Sequence, residues 1–197
     1  MKPFRTHVKF FFENPESIDL ADFGAVFQRW IQGQVLDGLL IDVADYRHVF
    51  EGPGIVLIGH ESDYTIENRD GRLGLLVTRK HQLEPDLQTQ LRTTLRLALA
   101  AGELLEAETA FEPRLKLREN EIEIRFADRL QLPNRPETFD LIQDDLRAVL
   151  TDVYGTEAVN LAAVQNDPRQ LFTIAVHGEG AAGISSLFQQ VKASVQG

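Results

Sequence analysis

The sequence predicts an α+β fold, a pseudo-symmetric repeat of a βαββα unit in which mainly antiparallel sheets carry helices packed on one side. Three observations predict it. A strand, helix, hairpin, helix order runs from Thr6 to about Glu108 and returns from Glu119 to Ser194. Each helical stretch has one apolar face, and the strands are short apolar or alternating runs bounded by Gly, Pro, Asn or Asp. The joint between the halves, residues 107–113, is not Gly/Ser-rich, so units 1–108 and 109–197 are expected to pack as one body. The likeness is one of order and pattern, with little residue identity.

In the first half, His7 to Phe12 reads as a strand. Leu20, Phe23, Phe27, Trp30 and Ile31 then fall on one helical face, with Asp19 as the expected N-cap and Gly38 beyond the last turn. Leu39 to Val49 is expected to be a strand, turned by Glu51-Gly-Pro-Gly54 into a second one ending at His60. Asp70-Gly71, between Tyr64–Glu67 and Leu73–Val77, signals an extra hairpin with no counterpart in the second half, because Asp-Gly readily takes the positive φ of such turns. Pro85 is expected at the first position of a long helix striped by Leu87, Leu91, Leu95, Ala98 and Leu105. Gly102 within that helix invites a close approach by another element.

The second half opens with alternating Ile122, Ile124 and Phe126. Asn134 and Glu137 suggest a capping box for a helix striped by Phe139, Ile142, Leu146, Val149 and Val153, with Gly155 as its C-terminal stop. Val159–Val164 and Leu171–Val176 form a hairpin turning at Asn166-Asp167-Pro168, and Ile184, Leu187, Phe188 and Val191 mark the last helix.

Composition narrows the function classes. A chain of 197 residues can bury roughly 70% of its unfolded surface. It contains no cysteine, which excludes disulfides, thiolate metal sites and a cysteine nucleophile. The net charge of −10 opposes nucleic-acid binding, and the best basic cluster, Arg79-Lys80-His81, is followed by Glu84 and Asp86. No apolar run reaches the length of a membrane span, and the first residues lack the apolar core of a signal peptide, so a cytoplasmic protein is expected.

Two places concentrate reactive chemistry. The segment from Asp42 to Tyr64 holds Asp45, His48, His60, Glu61 and Tyr64, residue types suited to acid–base work or to a divalent cation. A four-residue loop at 50–53 would pair His48 with Ile55 and Val43 with His60, which puts the two histidines on opposite faces and His60 on the face of Asp45. The same side chains also serve simply as hydrogen-bonded groups at strand ends.

The second place is His177-Gly178-Glu179-Gly180-Ala-Ala-Gly183, a G-x-G-x-x-G run between a strand and a helix. Gly178, Gly180 and Gly183 are candidates for receiving an anion on helix N–H groups. The chain after Ile184 is too short for the next strand and ribose-binding acid of a dinucleotide site, and Glu179 repels phosphate.

No cofactor or metal is expected. The reading that follows is a binding or regulatory module for a small ligand or protein partner, acting as a homodimer. The alternative is a small enzyme using Asp45 to Tyr64.

Overall fold

A computed structural model describes residues 3–81, 83–111, 114–165, 167–179 and 183–195. Its strands are β1 (Thr6–Phe12), β2 (Leu40–Asp45), β3 (Ile55–Gly59), β4 (Ser62–Glu67), β5 (Gly74–Arg79), β6 (Leu117–Phe126), β7 (Val159–Ala163) and β8 (Phe172–Gly178). Its helices are α1 (Asp22–Gly33), α2 (Leu87–Ala107), α3 (Pro136–Tyr154) and α4 (Ile184–Val195). The fold is α+β, as the pattern predicts.

All eight strands belong to one antiparallel sheet, ordered β2-β3-β4-β5-β1-β6-β8-β7. The first strand of each half, β1 and β6, pair at its centre, so the halves share a sheet. Outward from this pair come β5 and β4 on one side, β8 and β7 on the other. The Asp70-Gly71 hairpin β4–β5 therefore lies next to the central pair on one side, as β7–β8 does on the other, and β2–β3 extends the sheet beyond it. Gly71 does take the positive φ foreseen for it, +70°, in a short 3-10 turn rather than a two-residue hairpin loop.

Side chains alternate across a strand, so each row of register partners lies on one side of the sheet. The rows through Val8 and Phe10, reaching Leu57 and Ile55 in one direction and Ile174 and Val176 in the other, join the stripes of all four helices in one core. Phe11, Val56 and Leu76 occupy the alternate rows and stand outside that core. The helices thus cover one side of the sheet and leave the other uncovered.

Several helix ends differ from the sequence expectation. In α1, Phe23, Val26, Phe27 and Trp30 are buried, each worth about 1.5–3 kcal/mol. The helix ends at Gln34, not Gly38: Gln34 adopts φ 44°, and its side-chain amide donates to the carbonyls of Ile31 at 2.8 Å and Leu40 at 3.2 Å. Those bonds hold a left-handed residue that glycine would otherwise supply.

Pro85 lies outside α2, whose N-cap is Asp86, its carboxylate accepting from Thr89 N–H at 2.8 Å. Asn134 does not cap α3; its amide donates to the Asp167 carbonyl at 3.1 Å, and Pro136 occupies the first turn behind Arg135. Gly155 ends α3 at φ 68°, as expected. Gly102 also performs as read: a Cβ there would come within 2.9 Å of Leu117 and 3.3 Å of Ile184.

Candidate functional site: the uncovered face of the sheet

The Asp45–Tyr64 segment does not converge. Strand β2 stops at Asp45, which pairs with Ile55, and residues 46–54 form a nine-residue loop. The expected continuation through His48 fails for local reasons. The Asp45 carboxylate accepts from Arg47 N–H at 3.0 Å and from its guanidinium, the Tyr46 N–H donates to the Gly54 carbonyl at 2.7 Å, and Gly54 turns at φ +86°. His60 follows the far end of β3, its N–H donating to the Leu39 carbonyl at 2.8 Å. Asp45 and His60 therefore sit at opposite ends of the β2–β3 hairpin, roughly 17 Å apart at strand rise.

The remaining members are occupied elsewhere. His48 lies exposed in the loop. Arg47 holds the Asp45 carboxyl down to about 2 through a side-chain hydrogen bond. Glu61 pairs with Arg79 at 2.8 Å, and that arginine also holds the buried Glu84 at 2.9 Å. Tyr64 faces the helices, fully buried, and burial pushes its phenol well above the usual range. Among the described residues no three His, Asp or Glu side chains are placed to hold one metal ion.

The glycine-rich turn begins with a packing glycine. A Cβ on Gly178 would overlap the ring of Tyr154, whose hydroxyl donates to the Glu119 carbonyl at 3.0 Å. Gly183 has φ +100°, and the nearest atom to a Cβ there is a Glu119 carboxylate oxygen at 3.8 Å. Gly180 and Asn166 lie outside the described residues, while the Asp167 carbonyl accepts from Gln170 N–H at 2.8 Å in the turn that follows.

The most concentrated chemistry lies on the uncovered side of the sheet. Positions 7, 9 and 11 of β1 alternate with Val8, Phe10 and Phe12, so His7, Lys9 and Phe11 project away from the helices. Register places Leu76 and Glu123 beside Lys9, Thr78 and Arg125 beside His7, and Gly74 between Phe11 and Glu67. Lys9 Nζ donates to Glu67 Oε2 at 2.8 Å, Arg125 reaches both Glu67 oxygens at 2.8 and 3.0 Å, and its other side bonds Glu123 at 2.7 Å. Arg72 stacks over the Phe11 ring at 3.7 Å, bonds Glu121, and lies 3.7 Å from Glu123; Arg118 holds Glu121 at 2.9 Å.

Lys9 is wholly out of solvent, although no helix covers it. Its neighbours' long side chains do this themselves, which is why a lysine survives at the centre of a sheet. Burial lowers the Lys9 ammonium, and Glu67 only partly restores it. Burial alone would raise Glu67, but hydrogen bonds and charge from Arg125, then Lys9, outweigh it and keep the carboxylate ionised.

His7 donates to or accepts from Thr78 Oγ1 at 2.8 Å through Nδ1. Burial, then the charge of Arg125, lower its imidazole to about 4, so it is neutral at pH 7.

The charges of the network alternate, but they are not equally presented. Arg69, Arg72 and Arg118 are 50%, 41% and 44% exposed, whereas their partners Glu67, Glu121 and Glu123 are 9%, 18% and 15% exposed. The carboxylates face inward and the guanidinium groups face solvent. Five cations (Lys9, Arg69, Arg72, Arg118, Arg125) meet three carboxylates, giving a positive patch on a chain of net charge −10.

Chemically, the central groups are matched to one another: Lys9, Glu67 and Arg125 hold each other in place through charge-assisted hydrogen bonds. The signal for it was present in the sequence: Glu121, Glu123 and Arg125 alternate with Ile122, Ile124 and Phe126, and Lys9 interrupts an apolar strand. What the alternation lacked was the pairing order that sets β1 between β5 and β6.

Comparison with known proteins adds no relative: no family model matches the chain, and no curated protein matches it. Among the described residues no helix is long and apolar enough to cross a membrane.

Proposed function

We propose that this protein is a non-catalytic binding module that presents the uncovered face of its sheet to a protein partner, and that the partner contributes an acidic segment. The observation that carries this reading is the arginine surface over the Lys9–Glu67–Arg125 centre: guanidinium groups outward, carboxylates inward, on an otherwise acidic chain. Charge complementarity of this kind steers association and selects partners more than it adds raw affinity. The interlocked ions beneath hold the surface in one shape before binding, which lowers the ordering cost. Exposed guanidinium groups are screened by salt while buried pairs are much less so, so binding should weaken with ionic strength and the fold should not.

Cross-linking in an extract of its own cells, read by mass spectrometry, tests the reading. The expected result is a partner cross-linked through residues around β4, β5 and β6 on the uncovered face, lost at moderate salt and in the Arg69→Glu/Arg118→Glu double variant. A partner that maps to the helix side, or that the double variant still captures, overturns it.

A further inference from the structure

The two edges of the sheet are not alike. Edge strand β2 carries Asp42 and Asp45, and its register with β3 shifts between Leu40 and Asp42. Charges and irregular pairing of this sort protect an edge from adding another strand. Edge strand β7 has neither: the eight consecutive residues Ala158–Gln165 hold no charge and no proline, in a chain of net charge −10.

The hydrogen bonds of β7 show which of its backbone groups are free. Val164 N–H donates to the Thr173 carbonyl at 2.9 Å, and the Ala158 carbonyl accepts from Glu179 N–H at 3.2 Å. In an antiparallel ladder the bonded residues alternate, so 158, 160, 162 and 164 turn their groups toward β8. Val159, Leu161 and Ala163 turn theirs outward. Val159 is engaged, its N–H with the Glu157 carbonyl at 2.8 Å and its carbonyl with the Arg147 guanidinium at 3.3 Å. Among the described residues nothing meets the outward N–H and C=O groups of Leu161 or Ala163.

We propose that β7 pairs antiparallel with β7 of a second copy of this chain, around a two-fold axis at Ala162. In this register free groups meet free groups: Leu161 of each copy exchanges both backbone hydrogen bonds with Ala163 of the other, and the engaged Val159 is left as it is. Ala162 then faces its own copy in the close, non-bonded position of the ladder, where a methyl group fits and a long or charged side chain does not. The absence of charge makes the edge compatible with itself, which an acidic edge such as β2 is not. The result is a continuous sheet of sixteen strands in which both uncovered faces point the same way around the seam. Such a seam is small beside a standard interface, so the dimer should depend on concentration.

Sedimentation equilibrium of the full chain over a micromolar concentration series tests this, together with hydrogen exchange. The 22.2 kDa chain should shift to twice that mass as concentration rises, with the amides of Leu161 and Ala163 gaining protection in step. Ala162→Lys should abolish the shift by setting two lysines side by side, while Asp42→Lys on the opposite edge leaves it intact. Ala162 is exposed, so the lysine should leave circular dichroism and melting unchanged. A monomer throughout the series, a dimer that survives Ala162→Lys, or dimerisation without protection of these two amides overturns the proposal. It stands apart from the partner-binding face, since the Arg69→Glu/Arg118→Glu variant should still dimerise.

Discussion

Lys9 and Glu67 meet at 2.8 Å in the middle of a sheet face that no helix covers, with Lys9 entirely out of solvent. The pair is held between β1 and the end of β4 by two strands that reach it only through β5, so it couples residues 58 positions apart in the chain. Its energetics are asymmetric, because Glu67 has a second cation in Arg125 whereas Lys9 has Glu67 as its hydrogen-bonded partner.

Glu67→Gln should therefore destabilise the protein by about 3–5 kcal/mol, since it strands a buried ammonium, whereas Lys9→Met should change stability by about 1 kcal/mol or less. The double variant should recover most of the Glu67→Gln loss. Urea unfolding of the three variants measures this, and equal costs for the two single substitutions would contradict it.

His7 should make stability depend on pH. Its folded pKa near 4 lies below the unfolded value of 6.5, so the unfolded chain binds the extra proton first. The contribution is complete above pH 6.5 and is lost as pH falls toward 4, by up to about 3 kcal/mol for the full shift. His7→Asn, which keeps a group near Thr78 but cannot titrate, should flatten the pH profile in that window. Guanidinium unfolding at several pH values checks it, and an unchanged slope in the variant would be the contrary outcome.

Gly178→Ala should cost about 1–3 kcal/mol through overpacking against the Tyr154 ring. Tyr154→Leu in the same chain should return part of that loss by removing the ring, although it also removes the bond to the Glu119 carbonyl. Thermal melts of the single and double variants decide it; additive losses would mean that ring and glycine do not meet.

Tyr64→Phe should leave stability unchanged or raise it by about 1 kcal/mol, because the hydroxyl is buried with no hydrogen-bond partner among the described residues. A loss above about 1 kcal/mol in chemical unfolding would show instead that the hydroxyl is bonded.

How far the chain could be read depended on range. The stripes of α1, α2 and α3 and the stop at Gly155 were legible because helix periodicity and positive φ are local properties. The path of β2 was not. Leu39 to Val49 looks like one strand, yet Asp45 closes on Arg47 and the strand ends there, so Ile55 pairs with Asp45 and the expected pairing of His48 with Ile55 never forms. Asn134 misled for a similar reason: its capping pattern is local, while the carbonyl it meets belongs to Asp167, across the fold.

By itself the sequence determined the α+β class, one apolar face per helix and the close packing at Gly102, since each follows from spacing within a few turns or from a missing side chain. Only the tertiary structure decided that β1 lies between β5 and β6, and with it that Lys9, Glu67 and Arg125 form one network. The physical reason is that alternation tells a strand which side chains share a face but not which strand lies alongside. Lys9 sees Glu67 and Arg125 only after the chain has closed two long-range pairings, and that choice is made by the shared core beneath them rather than by the charges themselves.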